Sequence, residues 1–158
     1  MNIQLTKFIL KKINKNNPDD TQFLSSIFKN ESDKNIEFLG NLSNYITDKT
    51  YIVINSNNQK IGYFSMTEPV LNRENLTSTS LYYAISKEYR NLGYATNLVE
   101  EVSNYLFEEG IVDMIILTID NKNLASISVA TKLNFNIRFQ DEEETIYTKI
   151  KKIKQKCK

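Results

Sequence analysis

Between an apolar run, Leu81 to Ile85, and an amphipathic helix lies Arg90-Asn91-Leu92-Gly93-Tyr94-Ala95-Thr96. These residue types suit the holding of an anion. The first N–H groups of an α-helix have no partners within the helix; they point outward, and the helix dipole favours negative charge there. Gly93 and Ala95 are small enough to let a phosphate reach that backbone. Arg90 adds a cation able to make a charge-assisted hydrogen bond. A glycine here also serves simply to bend the chain, so the segment alone carries either meaning.

A second set lies downstream at Asn123 and Ser126. Three residues apart on a helix, their side chains face the same way. Asn123 is also a favoured helix N-cap, and both roles hold together because a cap sits at the open end of its helix. The chain has no histidine and one cysteine, Cys157. That removes Ser-His-Asp and Cys-His nucleophiles, His-based zinc sites and thiolate clusters. Carboxylates, tyrosines, amine termini and water remain for acid–base work. Glu68, at a strand end beside a long loop, is the first candidate base, followed by Tyr82 and Asp120. A strand-end carboxylate is more often merely solvated. The acidic run Asp141 to Glu144 either draws cations by its field or forms only a wet hairpin.

Arg90-x-x-Gly93-x-Ala95 resembles the acyl-CoA pyrophosphate loop of the GCN5-related N-acetyltransferase (GNAT) superfamily, whose pattern is Gln/Arg-x-x-Gly-x-Gly/Ala. Asn123 to Phe135, ending Lys132-Leu133-Asn134-Phe135, is similar to the second superfamily motif in its Asn-x-x-Ser form. That form is seen in the branch that includes the ribosomal-protein N-terminal acetyltransferases. The matched stretches span about a third of the chain, Leu81 to Phe135.

The resemblance implies acetyl-CoA as co-substrate and no metal. The diphosphate would lie on the amides of Asn91, Leu92, Gly93, Tyr94, Ala95 and Thr96, with Arg90 beside it. The pantetheine arm would run like an added strand along Tyr83, Ala84, Ile85 and Ser86, and Asn123 would pair with one of its amides. A strand N–H near Tyr83 or Ala84 would polarise the thioester carbonyl. Many superfamily members protonate the departing thiolate with a tyrosine where this chain has Ala130; in the Asn-x-x-Ser branch a serine takes that role, here Ser126. The implied reaction moves an acetyl group to a primary amine, a small molecule or a protein N-terminus, by direct attack in a ternary complex. The alternative is a non-catalytic acyl-CoA-binding module, a sensor or partner subunit. With four glycines and neither a Walker nor a Gly-x-Gly-x-x-Gly pattern, an ATP or NAD site has no residues behind it.

These residues need a frame. Residues 2–13 read as a first strand, with Asp19 or Asp20 placed to cap a helix over 20–29. Apolar spacing predicts another helix from Ser32 to Ile46. Tyr51 to Ile54 and Lys60 to Met66 form a hairpin, Pro69 to Ser78 a long loop, and Leu81 to Ser86 the central strand. Ala95, Leu98, Val99, Val102, Tyr105 and Leu106 give the following helix one buried face, with Gly110 as its stop. Ile111 to Ile119 reads as a strand buried on both faces. A helix from Asn123 to Leu133 follows, with Leu124, Ile127, Ala130 and Thr131 inward. Phe135 to Phe139 and Thr145 to Ile150 close the chain as strands. The fold class is therefore α+β, a mixed sheet of about seven strands flanked by about four helices. Its fourth and fifth strands are parallel and, by the resemblance, splayed.

Length and charge bound the rest. The 158 residues suit a single domain over 1–150 with a basic tail over 151–158. A net charge of +1 argues against a nucleic-acid partner. No apolar stretch is long enough for a membrane span, and the N-terminus lacks the pattern of a signal peptide. The expected setting is cytoplasmic, as a monomer or homodimer.

Overall fold

The computed structural model describes residues 2–28 and 46–152. In chain order its elements begin with β1 (Ile3–Gln4), β2 (Phe8–Lys12), α1 (Pro18–Phe28), β3 (Thr50–Asn55), β4 (Lys60–Met66) and β5 (Val70–Leu71). They continue with β6 (Thr77–Ile85), α2 (Tyr94–Glu108), β7 (Met114–Asp120), α3 (Leu124–Lys132), β8 (Asn136–Gln140) and β9 (Glu144–Ile150). The strands form one sheet in the order β1-β2-β3-β4-β6-β7-β9-β8, with β5 alongside β6. Every pair is antiparallel except β6 with β7, which α2 joins by a crossover. This is the expected α+β class with its parallel central pair.

Each sheet face has its own core. On one, Leu98, Val99, Val102 and Leu106 of α2 and Val129 and Ala130 of α3 pack on Phe64, Leu81, Ile85, Ile115 and Leu117. The helical spacing of α2 thus delivers the buried face it predicts. Each fully buried side chain of this size contributes about 1.5–3 kcal/mol by leaving water. On the other face Leu24 of α1 meets Ile13, Ile46 and Ile52, with Phe28 and Tyr63 packed against them. Gly62 brings β4 close to β6, because a Cβ there would stand 2.4 Å from the Ala84 carbonyl oxygen.

Several expectations are corrected. Nine strands, not seven, lie among the described residues. The first strand is two short strands paired as a hairpin, Ile3 opposite Leu10. The long loop is itself folded, with Val70 and Leu71 pairing with Ser78 and Thr77, so β6 starts at Thr77. The buried run from Ile111 becomes strand only at Met114, and its last turn alternates buried Ile119 with exposed Thr118 and Asp120. It alternates because one side of β7 lines an open cleft. The cap of α1 is Asn17, whose Oδ1 accepts the Asp19 N–H at 2.9 Å. Asp20 is instead buried, accepting the Asn14 N–H at 3.0 Å and pairing with Lys11. Leu124 and Thr131 are exposed, while Val129 takes the inward place. The helix expected from Ser32 lies outside the described residues, apart from its last position, Ile46, as does the tail from 153 on.

Both helices that border the central pair end in the same way. Past α2, Gly110 has φ 67°, and the Ile111 N–H donates to the Leu106 carbonyl. Past α3, Asn134 has φ 61°, and the Phe135 N–H donates to the Ala130 carbonyl. This left-handed cap suits glycine and is tolerated by asparagine.

Candidate functional site

Register places the site. On β6 the even-numbered residues bond to β4: Tyr63 stands opposite Ala84 and Ser65 opposite Tyr82. The Ser86 N–H, in the same phase, donates to the Ile61 carbonyl. Odd-numbered residues turn toward β7, where the Asp113 N–H donates to the Thr77 carbonyl and the Thr77 N–H to the Asp113 carboxylate. Backbone groups along a strand alternate in this manner. The parallel pairing stops at Ser80 opposite Ile116. Beyond it the Leu81 carbonyl and the backbone groups of Tyr83 face a gap with no paired strand across it among the described residues. Such groups need partners, and an extended chain laid in the gap would supply them. Of the two residues expected to present an N–H there, alternation selects Tyr83; that of Ala84 points to β4.

The gap opens into a cleft of about 920 Å³ whose wall includes Tyr82, Tyr83, Ala84 and Ile85 of β6, the 89–96 turn, and Asn123 and Ser126. At its far end Gly93, φ 80°, is the N-cap of α2 and offers no side-chain cap. Asn91, φ 63°, gives the loop a second left-handed residue. The first bond of the helix runs from the Asn97 N–H to the Gly93 carbonyl. The N–H groups of Gly93, Tyr94, Ala95 and Thr96 therefore have no helical acceptor, and all four residues line the cleft. The Tyr94 ring holds this helix end to the sheet, edge-on to Phe8 and Tyr89, and its hydroxyl accepts from Asn55 Nδ2 at 3.2 Å. Arg90 donates through Nε–H to the Ile85 carbonyl at 2.9 Å, which keeps its guanidinium over the strand end.

The N-terminus of α3 is closed by its own side chain: Asn123 Oδ1 accepts the Ser126 N–H at 3.2 Å. Asn123 itself lines the cleft. Charge along the wall is unequal. Arg90, Lys122 and Lys132 stand against Asp120, the one carboxylate among the described lining residues. Tyr63 and Phe28 make the wall on the opposite sheet face, their rings edge-on at 5.3 Å. Burial pushes the Tyr63 phenol up to about 12, with Tyr82 adding to the shift. Burial also raises the Tyr83 phenol, and the neighbouring Ser126 side chain pulls it partly back.

Most of the expected site residues come together here: Tyr82, Tyr83, Ala84, Ile85, Arg90, Asn91, Gly93, Tyr94, Ala95, Thr96, Asn123, Ser126 and Asp120. Three do not. The exposed Leu92 side chain is not part of the wall, which leaves its amide as the group the expectation concerns, and the Ser86 backbone N–H is committed to Ile61. Glu68 lies off the cleft wall, mostly exposed, in an ion pair with Lys49 at 3.3 Å. Tyr63 and Phe28 are additions that sequence reasoning missed. Nothing in their local sequence separates them from other half-buried aromatics.

A mixed sheet whose central parallel pair parts beside an uncapped helix N-terminus is the architecture of the acetyltransferase (GNAT) class. The acetyltransferase (GNAT) domain model matches residues 10–136, and the chain belongs to that family. No curated protein matches it significantly. Among solved structures it is similar to a GNAT-family acetyltransferase from Bacillus anthracis, at 17% identity and TM-score 0.75 over 96% of this chain and 99% of that one. The ribosomal-protein-S5-alanine acetyltransferase from Vibrio fischeri follows at 14% identity and TM-score 0.67, covering 96% and 97%. Mutant forms of the spermidine/spermine N-acetyltransferase SpeG from Vibrio cholerae match at 16% identity and TM-score 0.65, covering 92% and 95%. At such identities these likenesses speak for the fold alone. No helix among the described residues is long and apolar enough to cross a membrane.

Proposed function

We propose that the protein transfers an acetyl group from acetyl-CoA to a primary amine by direct attack within a ternary complex. The observation that carries this is the parting of β6 and β7 after Ser80 and Ile116, next to the uncapped amides at Gly93. The pantetheine arm would pair with the Leu81 and Tyr83 backbone, and the diphosphate would take the α2 amides with Arg90. Asn123 would bond an amide of the arm. The Tyr83 N–H would stabilise charge on the thioester oxygen as the amine adds. The cationic wall supports an anionic carrier. Positioning and a polarised carbonyl supply most of what such a reaction needs, which suits a chain without histidine.

The acceptor follows from the scarcity of bases. With Glu68 off the wall, Asp120 is the only carboxylate among the described lining residues. An alkylamine of pKa about 10.4 is neutral to less than about one part in a thousand at pH 7, whereas an α-amine of pKa about 8 is neutral to roughly one part in ten. A peptide N-terminus therefore needs far less help than a polyamine. This favours the kind of acceptor acted on by the ribosomal-protein-S5-alanine acetyltransferase over those of the spermidine/spermine enzyme.

The test is thermal shift with acetyl-CoA, ATP and NAD, then thiol release with Ala-initiated peptides, spermidine and spermine. Stabilisation by acetyl-CoA alone and release with the peptides is the expected result. A shift with ATP or NAD only would sink the reading. Stabilisation without release for any amine would favour a non-catalytic acyl-CoA-binding module, a second reading that the lack of a placed base among the described residues keeps in view.

A further inference from the structure

One polar atom inside the cleft wall has no use so far. The Tyr83 hydroxyl is sealed from solvent and meets no hydrogen-bond partner among the described residues. A buried hydroxyl left in that state costs about 1–3 kcal/mol. The side chain projects to the same sheet face as α2 and α3, packed against the core that holds Leu81, Ile85 and Val129. There it comes up against Ser126 in the first turn of α3, a hydrogen-bonding neighbour within reach although the bond is not closed in this geometry. Ser126 in turn lines the cleft. A phenol buried behind a serine, with the serine facing the gap, makes a two-hydroxyl line from the core to the place where a thioester would lie.

We propose that Tyr83 is a positioning residue for Ser126: its O–H donates to Ser126 Oγ and so turns the serine O–H toward the sulfur of the acyl carrier. A small χ1 rotation of Ser126 closes this bond and satisfies the stranded phenol. The inference rests on the acyl-CoA reading above and deepens it. In the reaction the amine nitrogen forms a bond to the carbonyl carbon, the C–S bond breaks, and its electron pair stays on sulfur. The Ser126 O–H donates a hydrogen bond to the thiolate. The ammonium proton leaves to water, and the thiolate takes a proton from water, so the hydroxyl pair ends as it began. A phenol held above its usual value of about 10 does not surrender its proton to a thiolate, whose thiol has a pKa of about 8.5. The pair therefore works by donating hydrogen bonds, and each bond strengthens the next.

The test is a double-mutant cycle on the full chain with Tyr83→Phe, Ser126→Ala and the pair. Tyr83→Phe is expected to lower kcat about fivefold while leaving the Kd for CoA within about twofold, the worth of one neutral hydrogen bond. Ser126→Ala should cost about tenfold or more, and the double variant no more than Ser126→Ala alone. The ultraviolet absorbance of the thiolate gives a second readout. The thiol of bound CoA should titrate lower in the wild type than in either single variant, by about one pH unit. Additive losses in kcat, or an unchanged thiol titration, would overturn the relay while leaving the acyl-CoA reading intact. A wild type that binds neither acetyl-CoA nor CoA would overturn both.

Discussion

The two ends of the cleft are built by different means. The carrier end is made of backbone: the odd-numbered groups of β6, the left-handed turn at Asn91 and Gly93, and the bare amides of α2. Its parts lie within one continuous stretch from Leu81 to Thr96. The opposite end, which on the reading proposed above would receive the amine, is made of side chains from separate elements, Phe28 from α1, Tyr63 from β4 and Tyr82 from β6. Backbone conformation is written in short-range sequence, in glycines, asparagines and periodicity. A wall of side chains exists only once distant segments have packed. Substitutions at the second end leave the amides of the first untouched.

The largest expected effect breaks the carrier end alone. Gly93→Glu should weaken acetyl-CoA binding by more than about 100-fold, because a carboxylate then faces the diphosphate at a helix terminus. A Cβ at Gly93 meets nothing within 4 Å, so no clash inside the protein accounts for the loss. Gly93→Asn is the control. Asparagine already holds positive φ at Asn58, Asn75, Asn91 and Asn134, and binding should stay within about threefold. Titration calorimetry on both variants decides it, and equal affinities would mean that the anion lies elsewhere.

A smaller effect marks the acceptor end. Tyr82→Phe removes a half-exposed hydroxyl from the wall and should raise KM for the amine about three- to tenfold, with KM for acetyl-CoA nearly unchanged. Glu68→Gln should alter kcat/KM by less than about twofold, since it breaks only an exposed ion pair with Lys49. A large fall in kcat for the glutamine variant, steepest at low pH, would restore Glu68 as the base and erase the contrast between the two ends.

The smallest effect is on stability in alkali. The Tyr63 phenol titrates near 12 when folded, above about 10 in the unfolded chain. A raised value means that the folded state holds the proton more tightly. Its stabilisation is complete below pH 10 and is lost as pH rises through 12, a loss on the order of 2 kcal/mol. Tyr83 acts in the same direction from the carrier end. Urea unfolding at pH 9 and pH 11 should show the decline in the wild type and a shallower one in Tyr63→Phe. Equal slopes would mean that Tyr63 is better solvated than its packing against Phe28 implies.

What could be read beforehand follows this division. The α2 stripe, Gly110 as its stop, Asn123 as a cap and the left-handed turn at Gly93 all rest on interactions within one turn of their own residue. The misplacements share a cause. Asp20 looks like a cap, but the packing of α1 back onto β2 and its exit buries it against Asn14 and Lys11, and Asn17 does the capping. Leu124 has the spacing of a core residue, yet it starts its helix at the mouth of the cleft and stays exposed. The Pro69 to Ser78 loop folds back as β5 because β6 offers it a free edge at Thr77 and Ser78.

By itself the chain's order of residues determined most of the elements, the parallel central pair and the open helix end at Gly93, since these depend on periodicity and local backbone preference. Tertiary structure alone decided which backbone groups of β6 face the gap, that Glu68 stands apart from it, and that the Tyr83 hydroxyl is shut behind Ser126. Those outcomes depend on strand register and on contacts between residues far apart in the chain, which no local pattern encodes.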